Sequence, residues 1–308
     1  MIKDSKIYIA GHRGMAGSAI VRRLENDGFS NLVMRTHAEL DLQNQVAVEA
    51  FFEQEKPEYV FLAAAKVGGI HANNTYPADF LRDNIQIQTN VIDTAYRHGV
   101  RKLLFLGSSC IYPRDCPQPI KEKYLLNGPL EPTNEWYAIA KIAGIKMCQA
   151  YKQQFGFNAI CAMPTNLYGP GDNYDLETSH VLGALIRKFS DAVAGDSGSV
   201  DVWGSGKPRR EFLHVDDLAD ACVLLMQQYN DPAIVNVGSG SDLSIAELAE
   251  MIAKLAGFHG RIDFDPNRPD GTPRKLLDTS RMQALGWTPG IDLESGLRRT
   301  LTEYAAIR

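Results

Sequence analysis

Lys6-Ile7-Tyr8-Ile9-Ala10-Gly11-His12-Arg13-Gly14-Met15-Ala16-Gly17 decides the fold: an apolar run of strand length meets a glycine cluster, and Ala19, Ile20, Arg23 and Leu24 then recur at helical spacing to about residue 27. Strand, tight turn and helix follow in that order. Glycines at 11, 14 and 17 admit a diphosphate to backbone N–H groups at the positive end of the helix, as a dinucleotide-binding turn requires. The flanking strand and helix make this a positional signal, where a bare glycine spacing would say little.

Outward from that turn the rhythm repeats. Apolar runs at Leu32–Met34, Tyr59–Ala65, Leu103–Leu106 and Ala159–Met163 alternate with helical patterns over about Asn44–Glu55, Asp83–His98 and Asn134–Phe155. Such alternation predicts an α/β fold with a doubly wound parallel sheet of Rossmann type, its ligand at the carboxyl ends of the strands. After Pro164 the rhythm breaks at the Gly/Pro/Asn/Asp-rich stretch Tyr168–Asp175. Strands at Val200–Trp203 and Ile234–Val237 and helices at Ser179–Ala194, Val215–Gln228 and Ile245–Ala256 complete the expected elements. A chain of 308 residues is long for one core, so residues 1–164 are expected to form the dinucleotide-binding domain, which the chain can re-enter later, and residues 165–308 mainly a smaller α/β substrate lobe.

The helix carrying Lys141 is apolar nearly all round, through Ala138, Ile139, Ile142, Ala143, Ile145, Met147 and Ala150. One face covers the sheet and the other needs a partner. The helix of Ile85, Ile87, Val91, Ile92 and Ala95 supplies one, and pairing two such couples predicts a homodimer through a helix bundle.

A formal charge of -5 and a pI near 5.8 disfavour a general nucleic-acid binder, which needs a basic face. Cys110, Cys116, Cys148, Cys161 and Cys222 show no CxxC pairing, which fits reduced thiols and neither a disulfide framework nor a zinc site. The N-terminus enters strand-like sequence at once and no apolar run is long enough to span a bilayer. A cytoplasmic protein with no membrane partner is expected.

Two local signals suggest redox chemistry. After the second strand the usual acidic residue for a ribose 2′-OH is missing and Arg35 stands there instead, with Arg13 in the glycine turn as a second cation; both suit a 2′-phosphate, hence NADP(H), although either also reads as a solvated surface charge. Tyr137 and Lys141, four apart, share a helix face, which sets a phenol beside a cation and predicts a phenol pKa drawn toward neutrality. Such a spacing is common by chance, and its neighbours carry the weight: Ser108 and Cys110 end the fourth strand, and His180 opens a helix that it could instead merely cap.

These motifs resemble the extended short-chain dehydrogenase/reductase family. The likeness lies in the Gly11–Gly17 turn, Ala63-Ala64-Ala65, the Tyr137/Lys141 pair, Asn166-Leu-Tyr-Gly-Pro170 and Arg210-Glu-Phe-Leu-His-Val-Asp-Asp217, with PDGTPRKLLD over 269–278, and it spans most of the chain. Within the family it is similar to the bifunctional epimerase/reductases that act on GDP-4-keto-6-deoxy-D-mannose. The resemblance implies Ser108, Tyr137 and Lys141 as reductase groups and Cys110 and His180 as the epimerisation pair. It implies cofactor contacts at Gly11, His12, Arg13, Gly14, Met15, Ala16, Gly17, Arg35, His37, Asp41, Leu42, Ala63, Ala64, Ala65, Leu106, Gly107, Tyr137, Lys141, Pro164, Asn166, Leu167 and His180. Nucleotide-sugar contacts would fall on Asn166, Val181, Lys188, Trp203, Arg210, Asp270 and Lys275, and no metal is implied. Two departures stand out: His37 replaces an arginine that some members place near the 2′-phosphate, and Lys188 replaces an arginine, so a bidentate clamp becomes a point charge. The same chemistry would serve a 3,6-dideoxy or heptose analogue. A related nucleotide-sugar 4-epimerase or dehydratase recycles its nicotinamide, and a dehydratase wants an Asp-Glu pair where this chain has Cys110-Ile111. A non-catalytic NADP sensor would need none of the Ser108/Tyr137/Lys141 set.

Overall fold

The structure, a computed structural model, describes residues 1–268 and 270–307, with the side chain of residue 70 left aside; Pro269 of the PDGTPRKLLD segment and Arg308 lie outside the described residues. In chain order the elements are β1 (Ile7–Ala10), α1 (Met15–Asn26), β2 (Leu32–Val33), α2 (Gln45–Glu55), β3 (Tyr59–Leu62), α3 (Ile70–Thr75), α4 (Pro77–Arg97), β4 (Lys102–Leu106), α5 (Glu135–Phe155), β5 (Ala159–Pro164) and β6 (Asn166–Tyr168). There follow α6 (Val181–Ala194), β7 (Ser199–Trp203), β8 (Arg209–His214), α7 (Val215–Gln228), β9 (Val235–Val237), β10 (Asp242–Ser244), α8 (Ile245–Ala256), β11 (Arg261–Asp265), β12 (Arg274–Lys275), α9 (Ser280–Ala284) and α10 (Leu293–Ile307).

Six strands form a parallel sheet in the order β2-β1-β3-β4-β5-β9. The chain leaves β1 toward β2 on one side and returns to β3 on the other, so the strand order reverses between β1 and β3, where a ligand crevice opens at the carboxyl ends. Helices cover both faces: Val48, Phe52, Val91, Ile92 and Ile145 from α2, α4 and α5 pack on one, and Ile20, Leu24, Leu218 and Met226 from α1 and α7 on the other. That two-sided burial is why β1, β4 and β5 read as unbroken apolar runs rather than alternating ones. The sixth strand, Val235–Val237, and α7 come from well beyond Pro164, so the sheet draws on both halves of the chain.

The rest builds a second core. β8 sits between antiparallel β10 and parallel β12 and also pairs with β6; β7 pairs with β11; α6, α8 and α10 pack Leu185, Phe189, Leu248, Ile252 and Leu297 together. Local chemistry fixes the ends of the helices. Asn44 accepts from Ala47 N at the start of α2, Ser244 and Glu247 form a reciprocal capping box on α8, and Gly156 (φ 72°) stops α5. One start was misplaced. The pattern predicts a helix from Asp83, whereas α4 begins at Pro77, a residue suited to the first helical position, and its first turns bury Phe80, Asp83 and Asn84. Helix α5 packs on α4 more fully than expected: Ile142 and Ile145 are buried within the chain, leaving Ile85, Trp136, Ile139 and Phe155 exposed.

Candidate active site

The glycine turn lies in the β1/β3 crevice. Gly11 has φ 86°, and a Cβ there would stand 2.7 Å from Ala64 N; a Cβ on Gly17 would stand 2.1 Å from Gly11 O. Only bare Cα atoms let α1 and the β3 end close on the turn. Gly14 N donates to Gly11 O at 3.0 Å. Gly14 caps α1 with no side chain, and no acidic residue stands in the first helical turn, so the N–H groups and positive end stay available for an anion. Arg13 is exposed, His12, Met15 and Ala16 are half-buried, and Ala63–Ala65 line the crevice opposite. A dinucleotide diphosphate fits this cradle.

At the 2′-phosphate end the picture is less open than expected. Arg35 donates from Nη2 to Glu55 Oε1 at 2.5 Å and from Nη1 to Met34 O at 2.8 Å, so its charge is shared with a carboxylate the sequence reading overlooked. Glu39, which accepts from Thr36 N at 2.7 Å, is a second overlooked acid, held below the usual carboxylate range chiefly by that bond, with Arg35 and Arg13 adding to it. His37 is 79% exposed and 3.7 Å from Asp41, while Leu42 is buried, its carbonyl accepting from Asn90.

The chemistry-bearing groups converge where β4 ends. Leu106 is buried, and a Cβ on Gly107 would meet the Met163 thioether at 2.4 Å, so that side chain packs directly on the turn. Ser108 then opens the tight turn Ser109–Ile111, its Oγ accepting from Cys110 N at 3.3 Å. Lys141, 3% exposed, donates to Leu106 O at 2.8 Å and lies 4.7 Å from the Phe105 ring centroid and 5.8 Å from that of Tyr137. Helix α5 is thus tied to the strand that presents Ser108 and Cys110. His180 is the residue before α6, but its side chain makes no capping bond; it keeps exposed surface in the cleft. Pro164 ends β5, and Asn166 follows on β6, its Nδ2 donating to Glu211 O at 2.8 Å, with Leu167 half-buried beside it.

Protonation runs against one expectation. The Tyr137 phenol is pushed up by burial, with the nearby Cys110 adding to it, rather than drawn down by Lys141. The lysine donates a hydrogen bond to a backbone carbonyl, and burial lowers its own pKa to about 8. Burial likewise raises the Cys110 thiol, against opposing pulls from Lys275, the Ser108 hydrogen bond and Lys141. His180 is lowered by desolvation and by Lys275. Though His180 is accessible, protein crowds it on most sides, as befits a cleft wall. Near neutral pH the thiol is therefore protonated and the imidazole neutral; both feel Lys275, whose own pKa burial lowers.

Lys275 pairs in register with Arg210 across β12 and β8, and Arg210 Nη2 donates to Asp270 O at 3.2 Å. The Asp270 carboxylate accepts from Ser205 N and Oγ, each at 2.7 Å, closing over Gly204 beside Trp203. Trp203 is 43% exposed, so it is not core; the Lys188 ammonium is 5.4 Å and the Arg268 guanidinium 4.6 Å from its ring centroid, and Lys188 also donates to Asp201 O. Val181 lies half-buried in the first turn of α6. Glu131, buried, 3.5 Å from Arg114 and hydrogen-bonded by Thr133 and Thr272, balances Arg210 and Lys275 and had no local sequence signal. Among the described residues no His/Cys/Asp/Glu group could hold a metal ion.

Residues 7–238 match the model of the NAD dependent epimerase/dehydratase family. The chain belongs to that family. Among family relatives it is similar to putative GDP-L-fucose synthase 2 of Arabidopsis thaliana, 65% identical over 302 residues, 98% of this chain and 92% of that protein. It is also similar to GDP-L-fucose synthase of Escherichia coli (strain K12), 54% identical over 97% of this chain and 96% of that one. Of solved epimerase-family structures, GDP-mannoheptose C4 reductase from Campylobacter jejuni with NADP bound superposes with a TM-score of 0.90 at 40% identity, covering 99% of each chain.

Proposed function

We propose that this protein converts GDP-4-keto-6-deoxy-D-mannose to GDP-L-fucose by epimerisation at C3 and C5 followed by NADPH-dependent reduction at C4. Its main support is one juxtaposition: Ser108 and Cys110 share a turn at the end of β4, and Lys141 ties the Tyr137 helix to that same strand end through Leu106 O. Bound NADPH would supply the hydride for C4. The Gly11–Gly17 turn would hold its diphosphate, and Arg13 and Arg35 its 2′-phosphate.

A ketone at C4 makes the C3 and C5 protons acidic, because the C–H electron pair can move onto the C4 oxygen as an enolate. Ser108 and Tyr137 would donate hydrogen bonds to that oxygen, each worth about 3 kcal/mol of transition-state stabilisation by the usual cost of removing such a donor. With thiol and neutral imidazole at rest, Cys110 holds the one proton the pair shares. Its transfer to His180 gives a thiolate that removes the substrate proton on one face and an imidazolium that returns one on the other. After inversion Tyr137 protonates the C4 oxygen, and the Lys141 cation steadies the phenolate left behind.

On the second lobe, the exposed Trp203 face and Lys188 would meet the nucleotide, and Arg210 and Lys275 its diphosphate, with Asp270 bracing the Arg210 strand. The exposed Ile85, Trp136, Ile139 and Phe155 on α4 and α5 support a homodimer through these helices. No described helix is long and apolar enough to cross a membrane, and five free cysteines suit the reducing cytoplasm.

Incubation with NADPH and a panel of GDP-4-keto sugars in deuterated water tests the whole reading. The 6-deoxy-mannose substrate should consume NADPH stoichiometrically and gain carbon-bound deuterium at both C3 and C5. Recycled nicotinamide would mark a 4-epimerase or dehydratase instead, and reduction of a heptose without deuterium gain would mark a C4 reductase.

A further inference from the structure

His180 has to be held in place by something other than its own side chain, which caps nothing. The turn leading to it is internally ordered: Asp175 accepts from Thr178 N and Oγ at 3.0 and 2.9 Å, Asp175 O accepts from Ser179 N at 2.9 Å, and Asn173 Nδ2 reaches Thr178 Oγ. Across from it lies the loop between β3 and α3, which continues from the crevice-lining Ala63–Ala65. Gly69 N donates to Thr178 O at 2.9 Å, and a Cβ on Gly69 would stand 2.5 Å from Ser179 O and 3.3 Å from Thr178 O. Gly69 has φ -66° and ψ -179°, which any residue adopts. Only the close approach of the His180 turn requires glycine there.

The loop itself is clamped. Asn73, 6% exposed, donates from Nδ2 to Gly68 O at 2.7 Å and to Gly69 O at 3.0 Å. Asn84, buried in α4, holds Lys66 from both sides, accepting from its N–H and donating to its carbonyl, each at 3.0 Å. The Lys66 ammonium bonds Asp79 and Asp83 at 3.2 and 3.1 Å on the same helix. A hydrogen-bonded segment thus runs from the cofactor crevice to the carbonyls just before His180.

We propose that Gly69 is a positioning residue for epimerisation: its bare Cα and its N–H seat the Thr178–Ser179 carbonyls and so fix His180 in the cleft. The inference rests on His180 being the proton-returning group of the proposed reaction. A methyl at position 69 has to push the Ser179 carbonyl away, and backbone on both sides leaves no flexible side chain to yield. The shift passes to His180 one residue on, while the atoms that methyl meets first belong to Thr178 and Ser179, and none to Tyr137, Lys141, Ser108 or Cys110.

The test is a double-mutant cycle read by mass spectrometry. In Gly69→Ala, deuterium wash-in at C3 and C5 should slow by up to about 100-fold, the loss that a misplacement near 1 Å produces. NADPH affinity by fluorescence titration, and the rate of NADPH oxidation with an already epimerised 4-keto substrate, should stay at the parent's values. In a His180→Asn background the same substitution should slow the residual wash-in no further, because both changes act through one group. Asn73→Ser, which removes the clamp on Gly68 and Gly69 without adding bulk, should move wash-in in the same direction by less, and keeps the test available if Gly69→Ala folds poorly. Equal losses of wash-in and of reduction, or additive effects with His180→Asn, overturn the proposal. Undiminished wash-in in His180→Asn alone would sink the role of His180, a failure separable from that of the clamp.

Discussion

The two pairs proposed to handle protons, Tyr137/Lys141 and Cys110/His180, are built in opposite ways. Tyr137 and Lys141 ride on one 21-residue helix, four positions apart, and that helix is tied to the end of β4 by a buried hydrogen bond. Cys110 and His180 come from a tight turn after β4 and from the residue ahead of α6, so their relation depends on how α6 is held against the parallel sheet. Helix geometry fixes the first pair locally. Tertiary contacts, the Gly69 seat among them, fix the second. Reduction should therefore tolerate changes around the start of α6 that epimerisation does not.

The sharpest way to break this contrast is to remove the reductive group alone. Tyr137→Phe should slow NADPH oxidation by about 10²–10⁴-fold, the usual contribution of a positioned general acid, while deuterium still enters C3 and C5, more slowly for want of one hydrogen bond to the C4 oxygen. Complete loss of deuterium entry would mean that the two chemistries do not separate.

Lys141 offers a second lever. Burial takes its pKa down to about 8, so the cation is present below that pH and lost above it. Reduction of an already epimerised substrate should fall as pH rises through about 8, and Lys141→Arg, which stays charged, should flatten that limb. Stopped-flow rates across the range decide it.

At the cofactor end, replacing both Arg13 and Arg35 with Ala should raise the NADPH KM by about tenfold or more, the scale of one charge-assisted bond, and leave the NADH KM little changed. Because Arg35 is engaged by Glu55, Glu55→Gln should sharpen the preference for NADPH. Equal effects on both nucleotides would remove Arg35 and Arg13 from the 2′-phosphate.

Much of the first half of the molecule was legible because its signals are local. The Gly11–Gly17 turn, the apolar runs of β1, β3, β4 and β5 and the Tyr137/Lys141 spacing each follow from a few neighbouring residues. The Pro77 start of α4 was there to be read, since proline favours the first turn, but the pattern of apolar residues pointed further on. Glu55, Glu131 and Gly69 were not legible. Each acts on a residue brought near only by the fold, as Glu131 does on Arg210 and Lys275, and an isolated acid or glycine carries no periodicity to betray it. The phenol pKa failed for a related reason: sequence shows that Lys141 is near Tyr137 but not that burial of the phenol decides its pKa.

The smallest expected effect lies in the loop that joins the two regions. Asp172 accepts from Asn173 N through Oδ1, its buried Oδ2 finds no partner among the described residues, and burial raises its pKa to about 6. The folded chain thus keeps a proton that the unfolded chain gives up at lower pH, so stability from this group is present in acid and is lost as pH rises through about 6. Asp172→Asn should raise the Tm near neutral pH, and the gain should shrink by about pH 4. A gain independent of pH would rule out the carboxylate as its source.

The central claim is that inversion and reduction use separate proton carriers around one C4 oxygen, and Cys110→Ser tests it most directly. With NADPH, GDP-4-keto-6-deoxy-D-mannose and deuterated water, mass spectrometry should find no deuterium at C3 or C5 while some hydride is still delivered to C4. Full deuterium incorporation at both carbons in Cys110→Ser would contradict the account.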